Sequence, residues 1–168
     1  PYTVPAEYAA LYDPALVSRS PSMAETFADK PSVQASYSRH WAFDTYAWED
    51  WQRIVAMYWG YVTLIDAQIG RVLAALDELG LADRTAVVFS TDHGGFVGAH
   101  RLCDKGPAMY DDIYHIPLVA RVPGGAVGVP CDAMVTLMDL VPTWLELAGL
   151  SPADASPSLD GRSLLPLL

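Results

Sequence analysis

Residues 90–112, STDHGGFVGAHRLCDKGPAMYDD, hold the side chains whose types and spacing can do chemistry. Asp92 and His93 put a hard carboxylate oxygen beside an imidazole nitrogen, a pairing suited to a divalent cation. Two donors do not complete a metal shell, so on this pattern alone the alternatives, Asp92 as a turn cap and His93 as a solvated ring, stand ahead of a metal site. Lys105 stands thirteen positions after Asp92, inside a glycine-rich loop. An ammonium there can neutralise a sulfate or phosphate oxygen, or it can be an ordinary solvated lysine. Gly94, Gly95 and Gly98 let the backbone turn sharply and approach a ligand closely.

These residues need elements to hold them. The run TAVVFST, Thr85 to Thr91, is apolar and β-branched without clean alternation, which predicts a central parallel strand covered on both faces. Its C-terminal end delivers Asp92, and ligands of open α/β sheets bind at that edge. A second run, Ile116 to Val122, predicts another short strand before Pro123-Gly124-Gly125. The connection between them, of some 25 residues, is far longer than the usual roughly two to six; such loops are functional or disordered, and the mixing of His, Asp and Lys with Phe96, Leu102 and Met109 favours the first.

Upstream of the first strand, Ile54, Tyr58, Tyr61, Val62, Ile65, Ile69, Val72, Leu73 and Leu76 recur at three- and four-residue steps. They predict a long amphipathic helix from about Glu49 to Leu79, stopped by Gly80 as the residue after the cap. Asp66 falls beside the apolar stripe as a partly buried carboxylate. Helix, short loop and buried strand form half of a βαβ unit, so the fold class is α/β. A further helix is expected from about Asp139 to Ala148, ended by Gly149. Residues 1–48 read as an extended arm with short turns, rich in proline and aromatics. The aromatics between Gln34 and Trp51 either pack over the surface or line a pocket. The tail is turn-rich until Ser163-Leu164-Leu165, which docks on the core.

The 168 residues are 52% hydrophobic and 18% charged, the make-up of one globular domain or part of one. A formal net charge of −10 argues against a nucleic-acid partner, which would need a basic face. It also requires that any anion site concentrate its few cations, or a metal, locally. Cys103 and Cys131 could make one disulfide, too few for a disulfide scaffold. No run approaches the ~20 apolar residues that span a bilayer. No signal peptide is visible, the chain opens at Pro1, and a preceding segment is expected, so localisation stays open.

The stretch DHGGFVGAHRLCDKGPAMYDDIYHIPLVARVPG resembles the C-terminal portion of the sulfatase catalytic domain, in the alkaline phosphatase superfamily that also holds phosphonate monoester and phosphodiester hydrolases. YWGYVTLIDAQIGRVLAALDELGLADRTAVVFSTDHG is similar to that family's long helix and metal-feeding strand, and VTLMDLVPTWLELAGL with LDGRSLLPLL to its closing segment. The resemblance covers about Tyr58 to Leu168. It implies a three-layer sandwich with a central, mostly parallel sheet, of which residues 1–168 are a C-terminal portion and residues 49–168 the helix-strand core.

By resemblance, Asp92 is a metal-ligating carboxylate and His93, where many relatives have Asn, the neighbouring ligand. Lys105 is the catalytic lysine that holds the sulfate or bridges nucleophile and leaving group, and His100 stands near the pocket as a substrate-binding candidate. Asp66 occupies a mainly structural position. The implied cofactor is one divalent metal, Ca²⁺ or Mn²⁺, and the implied substrate a small sulfate, phosphonate or phosphodiester ester. The implied nucleophile is a formylglycine made within a Cys/Ser-Xaa-Pro/Ala-Xaa-Arg motif. This sequence has no such motif, nor the family's early aspartate pair, and His115 stands where relatives commonly have Arg. The expectation is a sulfatase portion that does not turn over alone, with a non-catalytic α/β binding module as the alternative from another class.

Overall fold

The computed structural model describes residues 3–155 and 158–168. Pro1 and Tyr2 of the expected arm, and Ser156 and Pro157 of the expected tail, lie outside them. In chain order the helices and strands are α1 (Ala6–Ala9), α2 (Ser32–His40), α3 (Trp48–Glu78), β1 (Val87–Ser90), β2 (Phe96–Val97), β3 (Cys103–Asp104), α4 (Asp111–Tyr114), β4 (Leu118–Arg121), α5 (Leu140–Leu147) and α6 (Pro152–Ala155). Contacts divide the chain into two compact units, Pro1–Gly80 with His93–Ile116, and Leu81–Asp92 with Pro117–Leu168.

In the first unit α3 is the long helix that the apolar period predicts. Asp50 Oδ2 accepts the Ala47 N–H at 3.0 Å and so satisfies one donor of the helix start. Gly80, at φ +64, ends the helix in a conformation that disfavours a Cβ. Its first half is anchored by Trp51 and Ala56, both buried. Tyr12 docks on it through Thr63, at 2.7 Å between hydroxyls, and edge-on to Trp59. The second half is more open than the stripe predicts, with Val62, Ile65 and Val72 exposed. Asp66 is exposed as well, not partly buried.

Residues 1–48 are less extended than expected. Short 3₁₀ turns at Pro14–Leu16 and Pro21–Ala24 fit that reading, but α2 does not. No proline falls between Ser32 and the start of α3, and Pro31 at the head of α2 cannot interrupt it. A small core of Phe96, Leu102, Ala108 and Ile113 lies under the loop after His93, with Phe27, Tyr37, Ala99 and Tyr110 packed around it.

In the second unit β1 and β4 pair antiparallel, Val87 opposite Arg121 and Ser90 opposite Leu118. This corrects the expected parallel arrangement. An apolar run is compatible with either direction, and no helix lies between these two strands to carry the chain back for a parallel return beyond the single turn of α4. Nor are these strands covered on both faces, since Phe89 and its cross-strand partner Val119 are both exposed. The helix expected near Asp139 is α5. Its Thr143 hydroxyl accepts the buried Leu164 N–H at 2.8 Å, which docks the tail as the apolar Leu164 predicts. Asp139 ties the same region together: Oδ2 accepts from the Thr136 N–H at 2.7 Å and Oδ1 from the Arg162 N–H at 2.8 Å. Among the described residues no helix is long and apolar enough to cross a membrane.

Candidate functional site

The loop that opens at His93 folds into a two-strand ribbon. Phe96 pairs with Asp104 and Val97 with Cys103, antiparallel. Continued by one position, that register sets Gly95 opposite Lys105. The ribbon therefore returns Lys105 to the start of the loop, twelve residues from His93 in sequence. Lys105 Nζ lies 3.2 Å from His93 Nε2.

The tautomer follows from the other ring nitrogen. His93 Nδ1 stands 2.7 Å from the Gly94 carbonyl oxygen, which can only accept, so Nδ1 carries the proton. Nε2 then presents a lone pair, and the Lys105 ammonium donates to it. Of the three ammonium protons, two remain for an anion. Lys105 is exposed, so its ammonium is reachable from solvent.

Two further contacts fix the loop. Tyr37 Oη donates to the Lys105 carbonyl at 2.7 Å, and the Gly94 N–H donates to the Ile113 carbonyl at 2.8 Å. A Cβ at Gly94 would fall on the Asp112 carbonyl, so this position needs glycine to let α4 lie against it.

Asp92 belongs to the second unit, at the end of the segment that follows β1. It is exposed, and its Oδ1 accepts from the Thr91 hydroxyl at 3.3 Å. Among the described residues no three His, Cys, Asp or Glu side chains are grouped to hold a metal ion. The donor chemistry of Asp92 and His93, one hard oxygen and one imidazole lone pair, fits part of a divalent-cation shell and leaves the rest to other groups.

His100 does not join this cluster. Its ring stacks on Tyr110, with centroids 3.7 Å apart and planes 10° off parallel. Nδ1 is 3.5 Å from Glu25 Oε2 and Nε2 is 3.7 Å from Asp112 Oδ2. Two carboxylates thus stand at its edges, and its contacts are with protein groups other than Lys105 and His93.

Sequence reasoning found the lysine and the histidine but not Tyr37 or Glu25, which lie far from the loop in sequence. The aromatic stretch before α3 gave the one available signal. Phe43 and Tyr46 from it, with Arg53, Ile54, Met57, Cys103 and Asp104, line a cleft of about 530 Å³. Burial pushes the Cys103 thiol above its ordinary value of 9.0, with smaller effects from Asp104. Cys103 and Cys131 are both free thiols, so the single disulfide does not form.

The sulfatase family model matches residues 13–150. The chain is 34% identical over 157 residues to an uncharacterised sulfatase, YidJ, of Escherichia coli strain K12, covering 94% of this chain and 31% of that protein. It is 36% identical over 116 residues to Homo sapiens arylsulfatase K, covering 69% of this chain and 21% of that protein. Among solved structures, the phosphonate monoester hydrolase SpPMH from Silicibacter pomeroyi superposes with a TM-score of 0.86 at 33% identity, over 99% of this chain and 34% of that one. A 2-O GAG sulfatase, BT1596, superposes with a TM-score of 0.78 at 26% identity, over 91% of this chain and 34% of that one. The chain thus spans about a third or less of the proteins it matches. With one family's model running through most of its length and that fold recurring along it, the chain belongs to the sulfatase family, within the alkaline phosphatase superfamily.

Proposed function

We propose that the protein containing these residues is a sulfuric ester hydrolase. In this reading residues 1–168 are the C-terminal portion of its catalytic domain, part of a three-layer α/β sandwich whose mostly parallel central sheet is completed by sequence outside them. The observation that carries the reading is the 3.2 Å approach of Lys105 Nζ to His93 Nε2. A hydrolase of anionic esters needs a fixed cation beside the ester oxygens. Lys105 is oriented by His93 through one proton and keeps two for the sulfuryl oxygens, where charge builds in the transition state.

Asp92 and His93 are the residues that would hold a divalent cation, Ca²⁺ or Mn²⁺. Such an ion, when bound, polarises the ester oxygens. Were His93 Nε2 to ligate such a cation it would not also accept from Lys105, and the ribbon register alone would hold the ammonium at the start of the loop. The formylglycine nucleophile comes from sequence outside these residues. Lys105→Ala in the full-length protein is expected to lower kcat/KM for 4-nitrophenyl sulfate by about 10²–10³. The 168-residue chain alone is expected to be inactive. Turnover by that chain, or a full-length Lys105→Ala variant as active as wild type, sinks the proposal.

A second reading, a phosphonate monoester or phosphodiester hydrolase, is favoured by the likeness to SpPMH along 99% of the chain. A panel of sulfate, phosphonate and phosphodiester substrates separates the two, since a preference for phosphoryl esters by several decades rejects the sulfatase. If the complete reading frame carries no Cys/Ser-Xaa-Pro/Ala-Xaa-Arg motif and no ester is turned over, the protein is a binding module on the family scaffold.

A further inference from the structure

His100 sits where the backbone is unfavourable for a residue with a side chain. Its φ and ψ are 52° and 24°, and Arg101 follows at φ 56°. The left-handed region is unfavourable for such residues, so something must hold them there. The holding contacts are those of the His100 ring. It is sandwiched against Tyr110 and meets Phe96 edge-on at 6.2 Å. One edge faces Glu25 and the other faces Asp112.

Those partners are themselves tied down. The Phe27 N–H donates to Glu25 Oε1 at 2.8 Å and the Thr26 N–H at 3.0 Å, while Lys30 Nζ stands 3.8 Å from Oε2. The Phe27 bond foremost, with lesser help from His100 and Lys30, holds the Glu25 carboxyl below its ordinary value. Lys30 also lies over the Tyr110 ring at 5.2 Å, and Tyr110 Oη donates to Gln34 Oε1 at 3.1 Å. The tip of the β2–β3 ribbon is therefore bolted to residues 25–34 on one side and to α4 on the other.

We infer that His100 is a positioning residue: its ring, clamped between Glu25 and Asp112 on the face of Tyr110, sets the ribbon that carries Lys105 to His93. His100 touches neither Lys105 nor an ester and acts through the loop alone. The effect of the clamp on turnover rests on the hydrolase reading above. The placement of Lys105 does not.

The test is made on the full-length protein. Lys30 and Lys105 are the two lysines of these 168 residues. Acetylation by a water-soluble N-hydroxysuccinimide ester, resolved by peptide mapping, reports each of them separately. His100→Gln is expected to speed acetylation of Lys105 by about tenfold, as Nζ loses its hydrogen bond to His93, with Lys30 changing far less, and to lower kcat more than it raises KM. Glu25→Gln, which removes one jaw and leaves the ring, is expected to speed Lys105 in the same direction; because Lys30 also loses its Glu25 contact there, Lys105 is read in that variant against its own wild-type rate and an unchanged Tm. If His100→Gln does not fold, that second variant decides the question. An unchanged Lys105 rate in a folded variant overturns the inference. So does a uniform rise at both lysines accompanied by a collapse in Tm, which would make His100 structural only. A selective rise at Lys105 in a protein that turns over no ester keeps the clamp and rejects the hydrolase reading.

Discussion

Alanine at Gly94 and alanine at Gly95 are neighbouring one-methyl changes with opposite expectations. The Gly94 methyl would land on the Asp112 carbonyl, 2.9 Å from its carbon and 3.2 Å from Ile113 Cα. All three atoms are backbone, so no rotamer relieves the clash, and the Gly94 N–H is bonded to the Ile113 carbonyl at 2.8 Å. Relief requires α4 to move away and break that bond. Overpacking of this kind costs about 1–3 kcal/mol, and loss of the hydrogen bond about 1 kcal/mol more. Gly94→Ala should therefore destabilise by about 2–4 kcal/mol. A Cβ at Gly95 meets nothing within 4 Å, and its φ lies outside the left-handed region. Gly95→Ala should be neutral, or stabilising by up to about 1 kcal/mol through the unfolded chain. Urea titration followed by tryptophan fluorescence reads both variants against wild type in one protein, so that extrapolation errors largely cancel. If Gly94→Ala lies within about 0.5 kcal/mol of Gly95→Ala, an ordinary surface effect, the close approach of α4 to the loop is wrong.

Asp139 should show in the acid limb of stability. N–H bonds from Arg162 and then Thr136 hold its carboxyl below the ordinary 3.8. A depressed carboxyl stabilises the fold fully above its unfolded value, and that stability is lost as pH falls through the folded one. The Tm gap between wild type and Asp139→Asn should be constant at neutral pH and shrink below about pH 4; an equal gap at pH 7 and pH 3 refutes the linkage. Iodoacetamide should label exposed Cys131 at least about tenfold faster than Cys103 at pH 8, because burial keeps the Cys103 thiol protonated. The gap should close in denaturant. Equal rates on the folded protein would show that Cys103 is not shielded.

What could be read from residue order was local. The nine apolar positions of α3 and the stop at Gly80 define a helix because period and cap are both properties of a single segment. The same holds for α5 and for the apolar Leu164 that docks beside it. The direction of β1 against β4 was not legible, since an apolar run fits a parallel or an antiparallel partner equally well. Lys105 and His93 stood out by type, and the register of the short ribbon explains their meeting. His100 stood out too, but not the carboxylates at its edges. Its partner Glu25 sits 75 positions upstream, in a segment where proline spacing announces turns but not what they touch.

The Tyr37 hydroxyl that holds the Lys105 carbonyl comes from 68 residues away, whereas His93 comes from twelve. Closing the longer loop costs about 1.5 kcal/mol more chain entropy than closing the shorter one. The lysine can therefore find its histidine early, by local hairpin closure, but its backbone is locked only when α2 has docked. Because α2 leaves the ribosome before the ribbon does, it must remain undocked until the second partner emerges. The ammonium's final placement is thus a late event in folding, and its timing is set by a helix that precedes it in the chain.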